Sequence, residues 1–176
     1  MRSPGGGFLI GSLLGIPSDV LGRRVQEGYV AAGLDGIRPA HTPVFRHLQP
    51  EGDRVTDLAA RAGMTKQAIG YLVEYLIRHG YLERLPDPTD GRAQIVQRTE
   101  RGWEVNRVAR QVVAEVQDEW ASALGEERME QLRELLGDLV RFLGVQYVGS
   151  ISEVSARAPG GRWPAYDQTA GHGRGR

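Results

Sequence analysis

Apolar residues recur at helical spacing along most of the chain and at strand spacing in one short region. The helical spacing predicts four helices in the first part of the chain, each ended by a glycine or by a turn-rich segment. These helices cover residues 18–32, 40–48, 56–62 and 65–79. The last two are joined by a short turn at Gly63 and Met64, which is the arrangement of a helix-turn-helix.

The spacing changes after Gly80. Residues 81–85 and 93–97 have the length and the partial alternation that are typical of strands. The segment between them, Pro86 to Arg92, is too long and too rich in proline for a two-residue turn. The pattern therefore predicts a hairpin with a protruding tip directly after the helix-turn-helix.

Two long helices are predicted beyond the hairpin, separated by Gly125, and Thr99 is expected to cap the first of them. Each carries an apolar stripe at steps of three and four residues. The first stripe consists of Val105, Val108, Val112, Val116 and Trp120, and the second of Met129, Leu132, Leu135, Leu136, Leu139, Val140 and Leu143. A single chain is expected to offer these stripes no cover, so both need a partner surface.

The two ends of the chain differ from the helical part. Residues 1–17 are predicted as an apolar N-terminal arm, and the Gly- and Arg-rich residues 146–176 as a disordered tail. The apolar run from Phe8 to Ile16 is far shorter than the roughly 20 residues that cross a bilayer, and no small-residue cleavage site follows it. We therefore expect no membrane association and a cytoplasmic protein.

Composition excludes several classes of function. The 22 Lys and Arg balance the 22 Asp and Glu, although residues 54–98 hold seven cations against five anions and residues 99–145 hold six against ten. The chain has no cysteine, which excludes disulfides, thiolate metal sites and oxidant sensing by a thiol. Its four histidines lack the spacing of a helical metal pair, and no catalytic motif is found. We expect no metal, no cofactor and no enzymatic activity.

The predicted helix 65–79 has one apolar and one polar face. On a helical wheel the polar arc holds Lys66, Gln67, Gly70, Tyr71 and Glu74. This arc suits the major groove of DNA, where Thr65 and the first backbone N–H groups can meet a phosphate and Lys66 and Gln67 can reach base edges. The missing side chain of Gly70 permits close approach. For this helix alone, an ordinary solvated face is an equally good interpretation.

The hairpin favours the DNA interpretation, because a helix-turn-helix followed at once by two strands is the order of a winged helix. Arg92 lies at the wing tip, where a guanidinium can enter the minor groove. Asp90, two residues away, is expected to pair with Arg92 and hold its orientation. In isolation, these residues would indicate only a surface turn with a weak ion pair.

Residues 56–92 resemble the winged helix-turn-helix of the MarR family of bacterial transcriptional regulators. The resemblance rests on the Leu58-Ala59 pair, the leucines of the fourth helix, the Gly80-Tyr81-Leu82 entry to the wing, the Asp90-x-Arg92 tip and Thr99-x-x-Gly102. One residue departs from the pattern: Arg98 stands where the family usually has leucine, which leaves the packing at the end of the second strand open.

The resemblance, which covers about residues 18–145, implies a mainly α fold with a small β-hairpin. Residues 54–98 would form the winged helix-turn-helix domain, and residues 18–53 and 99–145 a helical dimerisation region. A homodimer would read a pseudo-palindromic operator in double-stranded DNA, act as a repressor and be released by a small-molecule effector.

The same resemblance places ligands between the dimerisation helices and the winged domain. By location alone, the candidate pocket residues are Tyr29, His41, Phe45, Trp103 and Arg107. Ordinary packing between the two parts is the alternative for each of them. The alternative for the whole chain is a winged helix that contacts another protein instead of DNA.

Overall fold

The computed structural model describes residues 9–143. Its elements are α1 (Ile10–Ala31), α2 (Thr42–His47), α3 (Val55–Arg61), α4 (Lys66–Arg78), β1 (Leu82–Asp87), β2 (Asp90–Arg98), α5 (Glu100–Leu124) and α6 (Glu126–Phe142), with a short 3-10 helix, Pro39–His41, before α2. Helices with one antiparallel hairpin confirm the predicted fold class. The predictions for residues 1–8 of the arm and for the tail lie outside the described residues.

Local capping explains where the helices near the wing begin and end. The hydroxyl of Thr65 accepts a hydrogen bond from the amide of Ala68 at 3.2 Å and caps α4, and Thr99 caps α5 through the amide of Gly102 at 3.1 Å. α4 ends before Gly80, whose φ of 73° is a left-handed conformation that glycine adopts without steric cost. These boundaries agree with the prediction because they depend on neighbouring residues only.

The first helix begins earlier than predicted. α1 begins at Ile10 and not at Ser18, so residues 10–17 of the expected N-terminal arm are helical. Pro17 lies inside the helix, where it removes one backbone hydrogen bond, to the carbonyl of Leu13. The helix continues past the proline, with leucines and isoleucines on its N-terminal side. The apolar run therefore forms one face of α1.

The turn of the hairpin also differs from the prediction. β1 and β2 pair in regular register from Leu82 opposite Arg98 to Pro86 opposite Gln94, and the register then shifts so that Asp87 pairs with Asp90. Only two residues join the strands, and the predicted long tip is wrong. The reason is Asp87, whose Oδ1 accepts hydrogen bonds from the amide and the hydroxyl of Thr89 at 2.8 and 2.7 Å. The surplus residues, 91–93, form a bulge in β2.

The core lies between α2, α3, α4 and the base of the wing. Its fully buried side chains include Val44, Leu58, Ile69, Val73, Leu76, Tyr81, Val96 and Val105. These residues come from both sides of the predicted boundaries at positions 54 and 98, so one apolar cluster joins the wing to the flanking helices. The division into a winged domain and a dimerisation region stays a prediction.

The apolar stripe of α5 is covered within the chain. α1 packs along α5, and the absence of a side chain at Gly28 permits the approach, since a Cβ there would lie 2.6 Å from Cγ2 of Val112. Val105 and Val116 are buried. The expectation that this stripe needs a second chain is therefore wrong.

The stripe of α6 is different. Of its residues, only Met129 is buried, and Leu135 remains 67% exposed. The first half of α1 is similarly uncovered. Each of the two helices, with its cap residue, exposes apolar side chains: Leu9, Ile10, Leu13, Leu14 and Ile16 on the first, and Leu132, Leu135, Leu136, Leu139, Val140, Phe142 and Leu143 on the second.

The junction between the wing and α5 is tightly packed. A Cβ on Gly102 would lie 2.1 Å from the carbonyl oxygen of Tyr81. That carbonyl accepts a hydrogen bond from the amide of Thr99 at 3.2 Å, and the hydroxyl of Thr99 donates to the carbonyl of Gly80 at 2.7 Å. The Thr-x-x-Gly motif thus has two physical roles here, since threonine caps α5 and glycine lets the helix approach the wing.

Candidate nucleic-acid interface

α4 presents its polar residues on one exposed face. Ile69, Val73 and Leu76 are completely buried and anchor the opposite side of the helix in the core. Lys66, Gln67, Tyr71 and Glu74 are exposed, as the wheel predicted. Tyr71 is 71% exposed, an unusual position for a large aromatic side chain in a protein with a well-formed core.

Four side chains of this face and the wing lack a partner in the part of the chain that the structure describes. None of the described residues forms a hydrogen bond or ion pair with the side chains of Lys66, Gln67, Tyr71 and Arg92. By contrast, most neighbouring charged groups are paired. The free groups are two cations, an amide and a phenol, which together suit an anionic ligand with hydrogen-bonding edges.

Gly70 is not required by the packing of the described residues. Apart from its chain neighbours and the backbone of its own helix, no described atom lies within 4 Å of the position that its Cβ would occupy. Glycine in a helix interior is less favourable than alanine by about 1 kcal/mol. A residue that lowers stability without serving internal packing is consistent with a surface that another molecule approaches closely.

The N-terminus of α4 adds backbone donors to this face. Thr65 is exposed, and its oxygen satisfies the amide of Ala68. The amides of Lys66 and Gln67 have no acceptor inside the helix, because the first N–H groups of any α-helix point out of its end. These donors and the positive end of the helix dipole favour a phosphate group near Thr65.

Arg92 lies in the bulge of β2, exposed to solvent. The expected ion pair between Asp90 and the Arg92 guanidinium is not formed. Instead, Oδ1 of Asp90 accepts a hydrogen bond from the backbone amide of Arg92 at 3.1 Å, and its Oδ2 lies 3.4 Å from Nη2 of Arg54. A carboxylate two residues before an amide closes a local turn, so Asp90 shapes the backbone and leaves the guanidinium of Arg92 free.

Arg54, which was not predicted from the sequence, stabilises the wing turn. Nε of Arg54 donates to Oδ2 of Asp87 at 2.6 Å, across 33 positions of sequence. The pKa of the buried Asp87 carboxyl falls to about 2, chiefly because the Thr89 hydroxyl and amide donate to it and further because of Arg54. The turn is therefore held by an ionised carboxylate at any physiological pH. No sequence signal marks Arg54, because nothing in the local pattern shows that α3 begins beside the turn.

Glu74 is a second residue whose partner only the structure reveals. It belongs to the polar arc of α4, but its carboxylate pairs with Arg84 on β1. This exposed ion pair contributes little stability, on the order of 0–1 kcal/mol. Its effect is geometric, since it links the exposed face of α4 to the wing.

The five candidate ligand residues lie in different surroundings. Tyr29 packs against the core, and burial raises its pKa to about 12. His41 is buried, stacks on Tyr75 with ring centroids 4.7 Å apart, and has a lowered pKa because of burial first and the nearby Arg38 and His79 next. Phe45 is buried. Buried surroundings of this kind are compatible with ordinary core packing as well as with ligand contact.

The other two lie on α5. The ring of Trp103 contacts the guanidinium of Arg98, with 4.8 Å between the ring centroid and Cζ. Arg107 is exposed and pairs with Glu100 and Glu104.

A cleft of about 470 Å³ lies between the start of α3 and the wing turn, and one of about 480 Å³ lies along α1. None of the five residues lines either cleft, and the ligand pocket stays a prediction.

Within the described residues, no helix is both long and apolar enough to cross a membrane. A family model described as the MarR family matches residues 35–93. A search of curated proteins found no significant match.

Solved structures share the fold. A transcriptional regulator from Thermotoga maritima is 25% identical, with 78% of this chain and 98% of that chain covered and a TM-score of 0.59. CouR from Rhodococcus jostii bound to p-coumaroyl-CoA is 24% identical, with 78% and 95% covered and a TM-score of 0.57. A MepR mutant from S. aureus bound to an oligodeoxyribonucleotide is 20% identical, with 77% and 99% covered and a TM-score of 0.53.

Proposed function

The chain belongs to the MarR family of transcription regulators through residues 35–93 and through its winged-helix fold, and from this premise we propose that it is a sequence-specific DNA-binding repressor. It binds a pseudo-palindromic operator as a homodimer and is released by a small-molecule ligand. The observation that carries this proposal is the exposed face of α4 and the wing, where the side chains of Lys66, Gln67, Tyr71 and Arg92 have no partner among residues 9–143.

The two parts of this face have different roles in the proposal. α4 lies in the major groove, with the amides at its start on a phosphate and with Lys66 and Gln67 at base edges. Arg92 extends from the wing towards the adjacent minor groove, whose negative potential attracts a guanidinium. Asp90 supports this arrangement through the backbone amide of Arg92.

The exposed apolar surface of α1 and α6 supports the homodimer. Seven apolar residues of α6 and its C-cap remain exposed, among them Phe142 at 85%. A second copy would bury them and would hold two α4 helices so that they face half-sites about 10 bp apart.

The bound DNA and the bound thioester in two relatives support the operator and effector parts of the proposal. The absence of cysteine excludes release by thiol oxidation within this chain, so the signal is a ligand. Its binding residues are proposed to come from Tyr29, His41, Phe45, Trp103 and Arg107.

The test is selection of DNA fragments by the purified full-length protein, followed by titration of the selected operator and a random duplex at two salt concentrations. For Arg92→Ala, we expect weaker binding to both duplexes and a salt slope lower by about one unit, because one cation at the backbone or groove is lost.

For Gln67→Ala, we expect a loss of about 1–3 kcal/mol of binding free energy on the operator only, with relaxed base preference at one position per half-site.

Gln131→Ala, on the exposed polar side of α6, is the matched control and should bind as the wild type does. Selection of no preferred sequence would overturn the proposal and would favour a winged helix that contacts protein. Wild-type affinity of Arg92→Ala for both duplexes at both salt concentrations would exclude the wing as a DNA contact.

Gly70→Ala separates stability from binding. The substitution should raise the free energy of unfolding by about 1 kcal/mol, because it adds a helix-favouring methyl group in open space. It should nevertheless weaken operator binding, since the methyl group lies where α4 approaches the groove. Gly22→Ala, which also points into open space but lies on α1, is the control. If Gly70→Ala bound the operator as tightly as the wild type, the close-approach role of Gly70 would be wrong.

A further inference from the structure

Arg98, the residue that departs from the family pattern, is buried at the junction of three elements. It is only 3% exposed. Its Nη2 donates to the carbonyls of Phe45 and Leu48, both at 2.8 Å, and its Nη1 donates to the carbonyl of Gln49 at 3.1 Å. Its Nε donates to Oδ1 of Asn106 at 3.1 Å.

The acceptors explain how a buried cation is tolerated here. Among the described residues, Arg98 forms no ion pair within 4 Å, and its direct partners are neutral. Three of them are carbonyls at or just after the end of α2. Those of Phe45 and Leu48 belong to buried residues and have no following helical turn to pair with, whereas that of Gln49 also accepts a hydrogen bond from the amide of Gly52 at 3.1 Å. Burial lowers the pKa of Arg98 to about 10, so the guanidinium stays protonated at neutral pH.

The same segment is held from a second side. Nε of Arg61 on α3 donates to the carbonyl of His47 at 3.2 Å, and Oδ2 of Asp53 accepts from the amide of Gln49 at 2.7 Å. Asp53 also pairs with Val96 of β2 through two backbone hydrogen bonds of 3.0 and 2.8 Å. The end of α2 is therefore immobilised against α3 and β2, which makes it a firm anchor for Arg98.

Arg98 lies at the junction between the wing and α5. It is the last residue of β2, and only the cap residue Thr99 separates it from α5. A rotation at this point would break directional hydrogen bonds to α2 and α5 together. Leucine at the same position would fill space but would impose no direction, because apolar packing is non-directional.

We propose that Arg98 is a positioning residue that fixes the angle between the winged part of the chain and α5, and thereby the half-site spacing that the homodimer accepts. The second part rests on the proposed function, whereas the rigid coupling of the wing to α5 does not.

Two kinds of variant test the coupling. Arg98→Leu and Arg98→Lys remove the planar fork of donors, and the lysine keeps the charge. Asn106→Ala is milder, because it deletes only the link to α5 and leaves the bonds from Arg98 to the end of α2 in place. This variant keeps the proposal testable if both Arg98 variants fail to fold. Asp118→Ala is the control, since Asp118 is an exposed residue of the same helix and lies outside both the candidate ligand residues and the contacts of Arg98.

The chain has no cysteine, so two introduced cysteines can be spin-labelled selectively. Gln94→Cys on the wing and Gln111→Cys on α5 are exposed positions. Labelled full-length protein is diluted with unlabelled chains so that pulsed electron resonance reports the distance within one protomer. We expect a narrow distribution for the wild type and Asp118→Ala, and a shifted or broader one for Asn106→Ala, Arg98→Leu and Arg98→Lys.

A purely structural role would lower the melting temperature of the variants but leave the distance distribution of the folded protein unchanged, and that result would overturn the proposal.

On selected operators, the ratio of the affinities for the preferred half-site spacing and for a spacing one base pair longer or shorter should fall towards one in Asn106→Ala. An unchanged ratio would overturn the spacing role. If the wild type selects no DNA while the distances still broaden, the proposed function fails and the coupling stands.

Discussion

Replacement of Gly102 by alanine is expected to lower the free energy of unfolding by about 3 kcal/mol. The added Cβ would lie 2.1 Å from the carbonyl oxygen of Tyr81, a backbone atom that cannot rotate away. Relief of this overlap would move α5 from the wing and would stretch the hydrogen bond from the Thr99 amide to the same carbonyl. Urea unfolding of the purified variant measures the effect.

Gly70→Ala is the matched control, because it adds the same methyl group to a helix where no atom lies within 4 Å. The two substitutions should change stability in opposite directions. An unfolding midpoint for Gly102→Ala at or above that of the wild type would show that the wing and α5 are not in this close contact.

The second large effect is expected at the exposed stripe of α6. The double substitution Leu136→Asp and Leu139→Asp should convert a dimer to monomers, because burial of unpaired carboxylates costs several kcal/mol. Each 1.4 kcal/mol is a factor of ten in the dissociation constant, so dimerisation should weaken on the order of 1,000-fold or more. Light scattering at micromolar concentration measures the mass, and operator binding should fall with it.

Both leucines are already more than a third exposed in the single chain, so the folded protomer should tolerate the change. Gln131→Asp places one carboxylate at an exposed polar position of α6 and should leave the dimer intact. A wild-type protein that is monomeric at this concentration would remove the basis of the proposed dimer.

Arg98, which stands where the MarR family usually has leucine, has a structural role in this protein. Sequence comparison alone presents it as a polar residue in an apolar place. In the structure its guanidinium satisfies carbonyls that are about 50 positions earlier in the chain, at the end of α2. The same side chain also contacts Trp103, so that two residues of the predicted ligand pocket, Phe45 and Trp103, lie beside it.

The local features of this protein follow from residues that are close together in the chain. The caps at Thr65 and Thr99, the stop at Gly80 and the polar face of α4 depend on side chains within four residues of one another, and helical periodicity makes their relations readable. The change of spacing after Gly80 likewise located the hairpin.

The features that join distant segments could be seen only once the chain was folded. The Arg54–Asp87 contact, the cover of the α5 valines by α1 and the buried Arg98 all depend on which elements pack together. The tight wing turn and the continuation of α1 through Pro17 were missed because Pro88 and Pro17 signal a local preference that is overridden, at the turn by the hydrogen bonds of Asp87 and in α1 by the helix-forming residues on either side of the proline. Periodicity shows which residues are apolar, but a contact across 30 or more positions is decided by the free energy of the whole packed chain.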